Sequence, residues 1–162
     1  MTILGLDPGY AIVGFGVIDS DGVRSREIRH GAIRTEANTP MCDRLAAIYE
    51  DMCVLLDAYR PDAAAIEELF FNTNTTTGIY VAQARGVILL ACTRHHVPVA
   101  EYTPLQVKQA VVGYGRAEKQ QVMEMTRMIL NLQSIPKPDD AADALAIALC
   151  HAQSASSILS DL

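Results

Sequence analysis

The chain has no uncharged apolar stretch long enough to span a bilayer; the densest, Gly86 to Cys92, is far too short. Nor does it have a basic apolar leader, since the N-terminus runs directly into Thr2-Ile3-Leu4. Both absences point away from membrane and secretory classes and set the expectation of a cytoplasmic protein. Paired cysteines are missing too. Cys42, Cys53, Cys92 and Cys150 lie far apart, with no two spaced as a zinc or redox motif. Each sits in an apolar helical pattern, which predicts reduced thiols in the core. No repeat, low-complexity tract or linker interrupts the chain before its last few residues. The expected organisation is therefore one domain over residues 1–153 and a short flexible tail over 154–162.

What is present fits a globular domain. Half of the 162 residues are apolar, enough for a real core. The net charge of −6 argues, taken alone, against a nucleic-acid partner. Its distribution argues otherwise. Residues 85–137 carry 7 basic side chains (Arg85, Arg94, Lys108, Arg116, Lys119, Arg127 and Lys137) against 3 acidic ones, between two acidic ends. A basic middle third is compatible with an anionic ligand, and equally with a solvated helical face.

Turn and cap residues divide the chain into elements. Strands are expected over Thr2–Asp7, Ala11–Asp19 and roughly Val23–Thr35, joined at Asp7-Pro8-Gly9 and Ser20-Asp21-Gly22. Thr39-Pro40 predicts a helix cap with proline in the first turn. Leu45, Ile48, Met52, Leu55 and Tyr59 then recur at helical spacing until Arg60-Pro61. Further expected elements are a strand over Asp62–Glu67, a polar loop over Asn72–Thr77 and a helix over about Gly78–His95. A strand over Val97–Glu101 and a helix opened by the capping box Thr103-Pro104-Leu105-Gln106 follow. Two more helices span about Glu118–Leu130 and from near Asp139 into a fraying Ser154–Ser157. Hairpin strands followed by helix and strand crossovers predict an α/β fold, a mixed sheet covered by helices.

Within that plan, four acidic residues stand out. Asp7 ends the run Ile3-Leu4-Gly5-Leu6, and Glu67 ends Ala63-Ala64-Ala65-Ile66. On parallel neighbouring strands these two carboxylates share one edge, where open α/β sheets place their ligands. Strand parity puts Gly5, Ala63 and Ala65 on the same face as Asp7 and Glu67. That small-residue patch suits the alanine-rich last helix, whose first turn holds Asp140 and Asp143 at i and i+3. Clustered carboxylates raise one another's pKa unless cations intervene. Oxygen ligands without histidine or cysteine suit magnesium, with manganese as a substitute, and two such ions would serve phosphodiester hydrolysis. Singly, each residue has an ordinary alternative. Asp7 suits a turn, either Glu67 or Glu68 could face solvent, and Asp139 or Asp140 could cap the helix. Spacing also allows Asp139 with Asp143.

Ile3-Leu4-Gly5-Leu6-Asp7-Pro8-Gly9, Ala65-Ile66-Glu67-Glu68-Leu69-Phe70, Gln83-Ala84-Arg85-Gly86-Val87, Gln106-Val107-Lys108-Gln109, Val111-Val112-Gly113, Ala117-Glu118-Lys119 and Asp140-Ala141-Ala142-Asp143-Ala144-Leu145-Ala146 occur in this order. The ordered set, which covers nearly the whole chain, resembles the bacterial RuvC Holliday-junction resolvases. The resemblance implies a ribonuclease-H-like fold with a five-stranded mixed sheet, a homodimer, and paired symmetric cuts across a four-way DNA junction. It implies Asp7, Glu67, Asp140 and Asp143 as catalytic metal ligands, choosing Glu67 over Glu68 and Asp140 over Asp139. It also implies that Phe70 stacks on an unpaired base, that Lys108 and Lys119 lie near the cleaved strand, and that a branch-migration complex is a partner. Phe71 is expected in the core or a dimer contact. Residue chemistry adds Arg116, on the loop Gly113-Tyr114-Gly115-Arg116, whose amides and guanidinium suit phosphate.

One departure matters: many family members carry a basic tail, and this chain ends Ser154-Ala155-Ser156-Ser157-Ile158-Leu159-Ser160-Asp161-Leu162. DNA contacts are then expected from the basic middle, few in number and strongly salt-dependent. Three rivals are a related nuclease processing ribosomal RNA precursors, an actin-like ATP-binding domain and a non-catalytic junction binder. The chain is short for the second, and four intact acidic positions speak against the third.

Overall fold

The computed structural model describes residues 1–69 and 75–160. Strands β1 (Thr2–Asp7), β2 (Ile12–Ser20) and β3 (Ser25–Arg34) precede helix α1 (Met41–Tyr59) and strand β4 (Ala63–Glu67). Helix α2 (Thr75–Arg94), strand β5 (Val99–Tyr102) and helices α3 (Pro104–Val112), α4 (Lys119–Ile129) and α5 (Asp139–Ser160) complete the chain. The five strands form one sheet in the order β3-β2-β1-β4-β5, antiparallel across β1, β2 and β3 and parallel from β1 to β5. This is the ribonuclease-H-like arrangement. No helix among the described residues is long and apolar enough to cross a membrane.

The sheet separates two cores. On one face Leu4, Leu6, Ala64 and Ile66 pack with Ile48, Met52 and Leu56 of α1 and with Ile88 and Cys92 of α2. On the other, Ile3, Ile18 and Ala65 meet Leu145, Ala148 and Leu149 of α5, flanked by Val107 and Val111 of α3 and Val122 of α4. The alternation expected of β1 and β4 decides this division, because neighbouring side chains leave a strand on opposite faces.

The local signals hold at α3. The Thr103 hydroxyl accepts from the Gln106 amide while the Gln106 side chain accepts from the Thr103 amide, and Gly113 closes the helix at φ 94°. Glu118 and Gln121 form a second capping box at α4. Other expectations are corrected. Thr39 does not cap α1: its hydroxyl donates to the Glu36 carbonyl and Pro40 takes the cap position. Helix α2 begins at Thr75, three residues before Gly78, so Thr75–Thr77 belong to a helix rather than to the polar loop. Helix α5 continues past the Ser154–Ser157 stretch to Ser160, and the Ser154 hydroxyl donates to the Cys150 carbonyl one turn back. Cys92 and Cys150 are buried thiols, but Cys42 is exposed, being in the first turn of α1 ahead of its core-facing stripe Ile48, Met52 and Leu56.

Candidate active site

Asp7 and Glu67 are the last residues of β1 and β4, and the register pairs Leu6 with Ile66 just before them. Helix α5 crosses the same face. It comes so close that a Cβ on Gly5 would lie 1.9 Å from the Ala144 carbonyl oxygen. Gly14, the β2 partner of Asp7, makes the same allowance a turn earlier in α5, since a Cβ there would lie 2.0 Å from the Asp140 carbonyl oxygen. Glycine at these two positions lets the first turn of α5 rest on the backbone of the sheet, with Asp140 and Asp143 beside Asp7. Sequence reading finds Gly5 but misses Gly14. The missed signal is its register opposite Asp7, which needs the hairpin pairing.

The electrostatics follow from that crowding. Burial pushes the Asp7 carboxyl up to about 8, and the neighbouring charges of Asp143, Glu67 and Asp140 push the same way, opposed by Lys119. Glu67 is raised by burial and then by Asp143. Asp143 is raised by burial and held back by Lys119, the first residue of α4, whose ammonium donates to Asp143 Oδ2 at 2.8 Å. That hydrogen bond in turn raises Lys119. Asp139 takes a 2.8 Å hydrogen bond from Lys137 Nζ that lowers its pKa, while its charge adds to the forces raising Asp143 and Lys119. Glu68 lies just beyond β4, its amide donating to the Tyr102 carbonyl at 2.9 Å.

Beside the cluster opens a cavity of about 260 Å³ lined by Glu67, Asp143, Lys108 and Lys119 together with apolar residues such as Val107 and Ile147. Lys108 and Lys119 thus share this cavity with Glu67 and Asp143. Arg116 is exposed on the loop between α3 and α4. Phe70 and Phe71 lie outside the described residues. The basic middle third is less free than its count suggests. Arg85 pairs with Glu101, Lys119 with Asp143, Arg127 with Glu124 and Lys137 with Asp139. Among the described residues that leaves Arg94, Lys108 and Arg116 without an ion-pair partner.

As the side chains stand, no three acidic, histidine or cysteine residues among those described converge on a single point in the manner of a closed ion cage. The donor set itself, four carboxylates of which burial makes Asp7, Glu67 and Asp143 costly to ionise, suits a hard divalent cation and not zinc.

The family model described as crossover junction endodeoxyribonuclease RuvC matches residues 3–151. The chain belongs to the RuvC family. A RuvC relative from Brevibacillus brevis, named crossover junction endodeoxyribonuclease, is 59% identical over 153 residues, covering 94% of this chain and 92% of the relative. The RuvC structure from Thermus thermophilus superposes with a TM-score of 0.90 at 38% identity, over 97% of this chain and 96% of that one. The same protein solved with a Holliday junction substrate gives a TM-score of 0.92 at the same identity and coverage. RuvC membership carries the resolvase expectation, whereas the ribosomal-RNA-processing alternative finds no support.

Proposed function

We propose that this RuvC-family chain is a structure-selective endonuclease that resolves four-way DNA junctions by paired, symmetric phosphodiester hydrolysis in recombination and repair. The observation that carries the reading is that Asp7, Glu67, Asp140 and Asp143 lie together at one end of the sheet, within the RuvC match over residues 3–151. Asp7, Glu67, Asp140 and Asp143 are the residues to hold magnesium, with manganese as a substitute and two ions per site. When bound, such ions supply activation of the attacking water and stabilisation of the leaving oxygen. The protein's own role is to fix the four carboxylates on two rigid strand ends and one helix turn, and to present cations to the phosphate. Lys108 and Lys119 do the latter beside the cleaved strand, and Arg116 contacts phosphate from its loop. Phe70 stacks on an unpaired base, a contact of about 1–3 kcal/mol. Products are nicks with 5′-phosphate and 3′-hydroxyl ends.

Symmetric cuts need two such sites, and the proposed active form is a homodimer. Support comes from α2, where Ile79, Gly86 and Leu90 form an exposed stripe at helical spacing and a Cβ on Gly86 would meet nothing within 4 Å. The branch-migration partner and the cytoplasmic location rest on the family resemblance and on the lack of a spanning helix among the described residues.

The test is cleavage of a mobile synthetic four-way junction in magnesium, with cuts mapped on all four strands. Wild type should cut two opposing strands at symmetric positions. Asp7→Asn should bind the junction and fail to cut it. Wild-type cutting by Asp7→Asn would remove the carboxylates from the chemistry, and unpaired nicking would remove the dimer.

A further inference from the structure

By charge alone Arg85 belongs with the DNA-facing basic residues, but its side chain is only 13% exposed. It reaches the sheet from α2, on the face opposite α5. Its Nη2 bonds Glu101 Oε2 on β5, and its Nε donates to the Glu67 backbone carbonyl at 3.4 Å. Glu101 is the register partner of Ile66, and Tyr102 that of Glu67. One guanidinium therefore ties together the carboxyl ends of β4 and β5 at the level of the proposed site.

We propose that Arg85 and Glu101 form a positioning pair that sets the Glu67 carboxylate for the nuclease reaction, an inference that rests on Glu67 acting in the site. The route is mechanical. The groups that shift the Glu67 carboxyl are its burial, Asp143 and Lys119, and Arg85 instead holds its backbone. Glu67 is the final residue of β4, after which the chain leaves the sheet towards α2. The ladder runs one residue further, where the Glu68 amide donates to the Tyr102 carbonyl at 2.9 Å, and Arg85 adds a side-chain hold on the Glu67 carbonyl itself. A misplacement of about 1 Å in a catalytic group is enough to cost about a hundredfold in rate. A nearly buried guanidinium is tolerated there because a carboxylate and a carbonyl satisfy it. The geometry divides the labour: the ion pair to Glu101 anchors the guanidinium, and the longer bond to Glu67 aims it. Arginine suits the task because its planar fork serves two acceptors at fixed angles, which lysine cannot do.

The experiment compares the full chain with Arg85→Gln, Arg85→Lys, Glu101→Gln and the Arg85→Gln/Glu101→Gln double variant. Asp7→Asn serves as the reference. Three quantities are read: single-turnover cleavage of a four-way junction at saturating protein, junction Kd without divalent cation, and Tm. Arg85→Gln should cut about 10–100-fold more slowly, the usual cost of losing a group that orients a ligand residue, with unchanged Kd. Arg85→Lys should recover some of the rate. Glu101→Gln should lose less than Arg85→Gln, and the double variant should be no slower than Arg85→Gln. Wild-type cutting by Arg85→Gln while Asp7→Asn is inactive would overturn the positioning pair and leave the site reading intact. Wild-type cutting by both variants would overturn the site reading as well. If Arg85→Gln does not fold, Glu101→Gln decides: slower cutting at unchanged Kd and Tm supports the pair, and a wild-type rate refutes it.

Discussion

The two faces of the sheet are built on opposite rules. The α1/α2 face is filled by large aliphatic side chains, with Leu4, Leu6 and Ile66 meeting Ile48, Met52, Leu56 and Ile88. The α5 face is emptied of side chains where it matters, and Gly5 and Gly14 let helix backbone rest on strand backbone. Bulky packing tolerates small adjustments of one element against another. Backbone contact leaves no side chain to give way, and the acidic residues stand on that side. The molecule places its least adjustable packing where carboxylates from separate elements must meet.

The largest expected effect comes from adding atoms to the close face. Gly5→Val should cost more than about 3 kcal/mol, above the usual range for overpacking, because the obstructing atom is a helix carbonyl that cannot rotate away. Denaturant unfolding should show the loss, and junction cleavage should vanish in whatever fraction remains folded. Removing atoms from the opposite face should be nearly as costly to stability yet harmless to chemistry. Ile88→Ala should lose about 2–5 kcal/mol, with a wild-type cleavage rate at temperatures where it is folded. A large rate defect in Ile88→Ala would break the distinction between the faces.

A smaller effect sharpens it through pH. The folded pKa of Asp7, about 8, lies above the ordinary value of 3.8. Its contribution to stability is therefore fully present below the lower value and lost as pH rises through the higher one. Without divalent cations, Asp7→Asn should be more stable than wild type at pH 9, by on the order of 2 kcal/mol, and level with it near pH 4. Saturating magnesium should stabilise wild type by about 2.7 kcal/mol at a hundred times its Kd and close the gap. Ile88→Ala should follow the wild-type pH curve, displaced but parallel. Chemical denaturation across this pH range, with chelator and with magnesium, checks all three curves.

Much of the close face is legible in the sequence, because strand parity and small residues are local signals. Residues 2–7 and 63–67 alternate as strands must, and the alanine-rich helix has few other places to lie. The capping box at Thr103 is readable for the same reason. What escapes depends on long-range partners. The ion pairs that occupy Arg85 and Lys119 join residues 16 and 24 positions apart, so composition alone counts them as free charge. The start of α2 is misplaced because Thr75, Thr76 and Thr77 are β-branched and poor helix formers, and the tertiary setting prevails. The role of Gly14 cannot be seen before its strand is paired with β1.

Helix α5 packs against all five strands and against α3 and α4, and it brings half of the acidic cluster with it. A chain emerging from the ribosome has its sheet residues long before this helix arrives. Without α5, Asp7 and Glu67 lack the neighbouring charges that its aspartates bring. Assembly of the acidic cluster and completion of the fold are thus the same event. If the four carboxylates act as proposed, an unfinished or partly unfolded chain lacks a complete site for cutting DNA, and the fold itself serves as a safety interlock on the activity.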